Sequence, residues 1–392
     1  MASVSSCNST IRNNAAGSSM LHPTNNVIED NPASNENPPT GSIKRKFEEP
    51  LGSIVAGHYN NLEEKGLSAR NESRILYMRN FNNWIKSYLI NKFMNMVREN
   101  FHTHSLAAVD LGCGKGGDLL KWTKANIGHL ICVDIAETSV RQCKERYEFN
   151  KQKRFGAPRF SAEFIVADCT KVCFQSLLGD PTRRVHIVSC QFAFHYCFES
   201  LQQAETMVKN AASNLATGGF FLLTIPDANY IMKKLSSEKS NAFGNEVFRI
   251  EFPDDRPEVP LLFGDRYQFF LEGAVDCPEF LVHQPTLKRL CLKYGLECVY
   301  QKRFSDVYKD AMQDEQSRML LQKMSALEPY PSPSGTQSSS NSQEYVAACE
   351  HLKQQQSDSN VRPCTLTLSA SEWQATNIYT ALAFKKIELP CQ

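Results

Sequence analysis

The stretch of this sequence best suited to chemistry is a run of glycines flanked by carboxylates, Val109-Asp110-Leu111-Gly112-Cys113-Gly114-Lys115-Gly116-Gly117-Asp118. It closes an apolar run and opens an amphipathic one, so it reads as strand, turn and helix. Glycines in such a turn let the backbone bend tightly and approach a ligand closely. Two further acids end the next two apolar runs: Asp134, twenty-two residues after Gly112, and Asp168 in Val166-Ala167-Asp168-Cys169. Gly112, Gly114 and Gly117 also fit the spacing of dinucleotide sites, and an acid placed like Asp134 serves ribose hydroxyls in either kind of site. Asp110 and Asp168 separate the two readings. The first suits the ammonium of S-adenosylmethionine and the second its adenine. With all three acids in register, this methyl donor is favoured over NAD.

After the fourth apolar run comes Ser189-Cys190-Gln191-Phe192-Ala193-Phe194-His195-Tyr196, where an acceptor substrate meets a sheet of this type. The Asn/Asp-Pro-Pro-Tyr/Phe motif of amino-methylating enzymes is missing there; its nearest match, Asn37-Pro38-Pro39-Thr40, lies in a polar tail. Cys190 sits in an apolar strand and is expected to be an inert buried thiol. Cys190, His195 and Cys197 lack a second chelating pair, so no metal is expected.

The surrounding elements follow from periodicity. Met78, Phe81, Ile85, Tyr88, Phe93 and Met96 mark one face of a helix over 73–97. Apolar runs at 106–111, 129–135, 163–167, 185–190 and 219–225 read as buried parallel strands, with helices at 117–125, 137–149 and 200–215 between them. This alternation predicts an α/β fold, a doubly wound and mostly parallel Rossmann-like sheet. Residues 239–283 read as a mixed insertion. Leu296 to Phe304 and Thr376 to Lys386 read as two further strands, separated by an inserted helical lobe at about 305–372. That lobe holds a helix at about 308–326 and a flexible Ser-rich loop at about 331–343. Residues 1–50, rich in Asn, Ser and Pro, are expected to form a disordered tail, and 51–392 a single domain.

The chain has 392 residues, 42% hydrophobic, with 43 basic and 42 acidic side chains. Bulk charge therefore does not signal a polyanion partner, and any such site must be local. Fourteen cysteines without a CxxC pair, and no apolar leader at the start, suggest reduced thiols. No run of eighteen apolar residues is present, so no membrane association is expected.

Several of these segments resemble the eukaryotic mRNA cap guanine-N7 methyltransferases. They are Arg79-Asn-Phe-Asn-Asn-Trp-Ile-Lys86, DLGCGKGGDLLKW at 110–122, CQFAFHY at 190–196, the stretch Leu271 to Leu281, and Leu327-Glu-Pro-Tyr-Pro331. The resemblance runs from about Val55 to Lys386. It implies the class I S-adenosylmethionine methyltransferase fold, S-adenosylmethionine as donor, and transfer to N7 of the triphosphate-linked guanosine cap. It implies that Lys86, Gly112, Asp134, Asp168, Gln191 and Tyr196 hold the donor, beside Asp110. It further implies that Asn82, Asn83, Lys115, Lys121, Arg146, His195, Glu279 and Tyr379 hold the capped end.

The chemistry is compatible. Guanine N7 carries an in-plane lone pair and no proton, so in-line displacement needs no general base and no catalytic residue in that sense. A Glu accepts from guanine N1–H and the exocyclic amine, an edge adenine lacks. Without the resemblance, Lys121 and Arg146 read as solvated helix charges, His195 as structural and Tyr379 as core. The rivals are a small-molecule or protein methyltransferase, a silent binding subunit and an NAD oxidoreductase. The implied partners are 5′-capped mRNA, a small activating subunit on the lobe and the RNA polymerase II capping machinery. The implied location is the nucleus, for which Lys44-Arg45-Lys46 is a candidate signal.

Overall fold

The computed structural model describes residues 51–61, 72–103, 105–333, 335, 337–355 and 364–389. The tail 1–50 and its basic triplet lie outside the described residues. Helix α1 (Leu51–Asn61) is followed by the long α2 (Leu76–Asn100). Strands and helices then alternate: β1 (Ala107–Leu111), α3 (Leu119–Lys124), β2 (His129–Asp134), α4 (Glu137–Lys151), β3 (Ser161–Val166) and β4 (Val185–Gln191). A 3-10 turn at Phe194–Glu199 leads into α5 (Leu201–Ser213), β5 (Leu215–Pro226) and α6 (Ala228–Leu235).

These strands belong to a seven-stranded sheet whose order ends β5-β4-β1-β2-β3. β1 runs parallel to β2 and β4, β2 to β3, and β4 to β5. Alternation along each strand sends residues to opposite faces. Leu130 and Cys132 of β2 join a core that includes Phe81, Trp84 and Ile85 of α2, whereas Ile131 and Val133 join one that includes Leu51 and Val55 of α1. Both faces are covered, as near-continuous apolar strands require.

The stretch expected to be a mixed insertion is a regular sheet. β6 (Ala242–Gly244), β7 (Phe248–Glu251), β8 (Arg266–Leu271) and β9 (Val275–Phe280) form four antiparallel strands. Tyr267, Phe269 and Leu271 point inward at period two, and Pro278 is tolerated because β9 is an edge strand. α7 (Gln284–Lys293) then leads to β10 (Leu296–Arg303).

The lobe follows with α8 (Phe304–Ala311), α9 (Glu315–Lys323), β11 (Glu328–Tyr330), α10 (Val346–Gln355), β12 (Thr365–Thr367) and α11 (Ala370–Thr376). One helix was expected over 308–326, and two are found. Asp314 divides them by accepting from Ser317 N at 2.8 Å, an N-cap that begins α9. In the Ser-rich run, the Ser338 N–H and hydroxyl donate to the Glu328 carboxylate at 2.6 and 2.8 Å. β13 (Tyr379–Lys386) returns to the main sheet, antiparallel to both β5 and β10. Among the described residues no helix is long and apolar enough to cross a membrane.

Candidate active site

The glycine turn lies where β1 hands over to α3. Gly112 has φ +72° and Gly114 φ +50°, the left-handed region in which a side chain is strained. A Cβ on Gly112 would stand 2.6 Å from the Ala193 Cβ, so only glycine lets this turn pack on the segment after β4. A Cβ on Gly114 would meet nothing within 4 Å; that space faces a cavity. Asp134, at the end of β2, holds the turn in place. Its carboxylate accepts from Gly114 N at 2.8 Å and from Ala136 N at 2.9 Å. Asp168 accepts from the Thr170 hydroxyl at 2.6 Å and pairs with Lys171 at 3.0 Å.

The cavity encloses about 440 Å³. Lys86, Gly112, Asp134, Asp168, Gln191 and Tyr196, all expected at a donor site, line it together. Gln191 donates through Nε2 to Ser189 Oγ at 3.0 Å, and its buried Oε1 has no partner among the described residues. A buried acceptor left unmatched on a cavity wall suits a ligand with a donor to offer. Asp110 is placed otherwise: it is buried behind the turn and accepts from Trp122 Nε1 at 3.2 Å. Burial and the neighbouring Asp118 push its carboxyl up to about 8.

Asp118, the last residue of the turn, joins the two sets of expected residues. Lys86 Nζ lies 2.8 Å and Lys121 Nζ 2.7 Å from its Oδ1, and all three side chains are at most 15% exposed. Burial opposes the charge on Asp118, but the two ammonium groups outweigh it and hold its carboxyl well below the usual range. Lys121 also donates to Asn83 Oδ1 at 3.1 Å. It is thus a half-buried ion-pair member, not a solvated helix charge.

A second group of expected residues gathers beside the cavity. Glu279 on β9 is buried and accepts from the Tyr267 hydroxyl at 2.8 Å. His195 Nε2 lies 3.1 Å from Glu279 Oε1, yet neither ring nitrogen has an aligned hydrogen bond among the described residues. The Tyr196 hydroxyl links this group to the cavity wall, lying 3.2 Å from the Tyr59 hydroxyl and 3.3 Å from Cys277 Sγ. Burial raises both tyrosines well above their usual range, so neither supplies a base at neutral pH. Tyr379 presents its ring edge-on to Phe192 at 4.9 Å. Asn82 accepts from Thr376 Oγ1 at 2.6 Å, fixing α2 to α11. Lys115 sits within the glycine turn, and Arg146 lies on α4 near Cys143.

Nothing in this arrangement resembles a nucleophile with its base. Cys190 is fully buried, and burial drives its thiol well above the usual range. Beneath the turn, Cys113, Cys132 and Cys143 bring their sulfurs within 4.8 Å of one another, a grouping that their sequence spacing does not signal. The site has the parts to hold and orient two ligands.

Residues 42–387 match the family model of the mRNA (guanine-N(7))-methyltransferase domain. The chain belongs to this family. Two relatives bear the name mRNA cap guanine-N(7) methyltransferase. The one from Drosophila melanogaster is 48% identical over 339 residues, covering 85% of this chain and 77% of that protein. The one from Caenorhabditis elegans is 37% identical over 343 residues, covering 85% and 87%. Among solved structures, the chain is similar to magnesium protoporphyrin IX methyltransferase from Synechocystis with bound SAM, at 12% identity and a TM-score of 0.37, over 66% of this chain and 92% of that one. As a member of the cap guanine-N7 methyltransferase family, the protein is an S-adenosylmethionine-dependent enzyme acting on the mRNA cap.

Three contributors to the site escape a sequence reading of the family motifs. Asp118 stands beside the glycines but gives no sign that it will bridge two lysines. Phe192 lines the cavity with φ +59°, an unusual conformation for an aromatic residue and visible only in three dimensions. The α1 residues Leu51, Gly52, Val55 and Tyr59 form a further wall. The polar character of the chain before them hides their role, although Leu51 and Val55 are one helical turn apart.

Proposed function

We propose that the cavity holds the methyl donor and the adjoining Glu279 group holds the cap guanine, so that donor methyl and N7 meet in line. The observation that carries this assignment is the buried Glu279 carboxylate, two residues along β9 from Cys277, whose Sγ meets the Tyr196 hydroxyl of the cavity wall. A buried carboxylate suits the N1–H and N2–H of guanine, two donors that adenine does not present together. The donor, when bound, supplies an activated methyl group. Asp134 then receives the ribose hydroxyls, Asp168 and Gln191 the adenine end, and Lys86 the carboxylate. Asp110 acts from behind, by anchoring Trp122 under the turn. Asn82, Asn83, Lys115, Lys121 and Arg146 flank the triphosphate, and His195 and Tyr379 confine the base. Catalysis on this reading is positioning without proton transfer.

Residues 51–392 are the catalytic domain in this proposal, with the lobe as the seat of a small activating subunit and the tail as a dispensable extension. The family's role in mRNA capping supports a nuclear location alongside the RNA polymerase II capping machinery. Incubation with labelled methyl donor tests the central assignment. Guanosine-capped RNA is expected to accept label, and uncapped or adenosine-capped RNA is not. Equal labelling of all three would remove Glu279 from base recognition.

A further inference from the structure

Basic and aromatic side chains alternate on α4 and on the turn that follows it. Phe149 is 66% exposed and Phe155 80% exposed, both extreme for phenylalanine. Each carries a cation: Lys153 Nζ lies 5.1 Å from the Phe149 ring centroid, and the Arg154 guanidinium 5.4 Å from that of Phe155. From Lys151 to Arg159 inclusive there are four basic residues and no acidic one. The nearest acids in the sequence are Glu148 and Glu163, the latter 3.0 Å from His129 Nε2, and Glu145 further back pairs with Arg141 at 3.2 Å.

The placement of this patch is more informative than its composition. Val140, Cys143 and Tyr147 form the buried face of α4. At 100° per residue, Arg146 falls about 60° from Cys143, at the edge of that face, and Phe149 about 60° further round, so the two continue one stripe away from the core. Beyond the helix end at Lys151, the Lys153 N–H donates to Asn150 O at 3.2 Å, a turn that brings its ammonium back to the Phe149 ring. Arg146 is the residue given to the cap triphosphate above. The helix runs five residues beyond Arg146, about 7 Å, to the turn that carries Lys153, Arg154 and Phe155.

We propose that Phe149, Lys153, Arg154 and Phe155 form a platform for the single-stranded transcript body leaving the cap. Exposed rings offer stacking to bases of any sequence, and the cations beside them meet the phosphates. A protein with a net charge of only +1 gains RNA affinity from such local patches. The inference rests on the cap assignment through Arg146, and the experiment separates the two.

Two double variants of the full chain, Phe149→Ser with Phe155→Ser and Lys153→Glu with Arg154→Glu, are compared with the parent. All four side chains lie outside the core, so melting temperatures should match. Fluorescence anisotropy with a capped single-stranded 20-mer should show affinity falling about tenfold in each variant, within the range expected for lost base stacking. The charge-reversal variant should also show a shallower dependence on salt. Methylation of a cap dinucleotide, too short to reach the patch, should be unchanged. Equal affinity of parent and variants for the 20-mer would overturn the platform, whatever the dinucleotide does. Failure of the parent to methylate the dinucleotide would instead overturn the cap assignment, and the anisotropy would still decide the platform.

Discussion

The two halves of the site are built in opposite ways. The proposed donor half draws on the C-terminal ends of four neighbouring parallel strands: the last residues of β2 and β4, and the residues just after β1 and β3, line one cavity. The proposed acceptor half gathers Asn83 from α2, His195 from the turn after β4, Glu279 from β9 and Tyr379 from β13. The first is a property of the sheet and repeats wherever strands are parallel. The second exists only because separate layers are packed against one another. Damage to the donor half should therefore appear as lost donor affinity, and damage to the acceptor half as lost turnover with the donor still bound.

The largest expected effect falls where the halves join. Asp118→Ala leaves the half-buried Lys86 and Lys121 ammonium groups without their shared counter-charge, a loss of about 3 kcal/mol in stability, the low end for a buried pair. Denaturant unfolding measures it, and donor and cap affinity should fall together. The pH dependence follows from the sign of the shift. A carboxyl lowered in the folded state contributes stability above its unfolded value of about 3.9, and loses it as pH falls further. The stability gap between the parent and Asp118→Asn should accordingly narrow below about pH 4. A gap that stayed constant there would mean that the two lysines do not depend on the Asp118 charge.

Asp134→Ala confines the damage to the donor half. Two backbone N–H groups lose their acceptor, and donor binding should weaken by about 1.5–3 kcal/mol, as read by calorimetry on a folded variant. Unchanged affinity would take Asp134 out of the donor site. Glu279→Ala is the converse. Cap methylation should fall about ten- to a hundredfold, equivalent to about 1–3 kcal/mol of base discrimination, while donor affinity holds. If donor affinity fell equally, the two halves could not be treated as separate. The smallest effect is expected from Lys121→Ala combined with Arg146→Ala. The KM for capped RNA should rise and its salt dependence flatten as fewer counterions are released. Identical salt slopes would mean that neither side chain meets the triphosphate.

The same contrast explains what the sequence revealed. The five parallel strands and the glycine turn were legible because apolar runs and glycine spacing are local signals, as were Asp134 and Asp168 at the strand ends. Asp110 stood in the right place but faces Trp122 instead of the cavity, since alternation along a strand determines the side and not the exact neighbour. β6 to β9 do not register as strands in the sequence because Pro and Gly break the run, although Tyr267, Phe269 and Leu271 alternate cleanly. The acceptor residues became visible only through family resemblance. Nothing local in Cys277-Pro278-Glu279-Phe280 says that the carboxylate will be buried against Tyr267 and His195.

That burial has a consequence for the order of events after methyl transfer. Quaternising N7 leaves the guanine with a positive charge, while the spent donor, reduced to a thioether, has lost the one it carried. A carboxylate shielded from water attracts such a cation far more strongly than an exposed one would. In the proposed assignment Glu279 therefore holds the finished cap more tightly than the unmethylated one, just as the donor half loses part of its own attraction. Departure of the modified RNA end becomes the step this pocket retards. Product inhibition by N7-methylated cap should exceed that by unmethylated cap, and Glu279→Gln should narrow the difference.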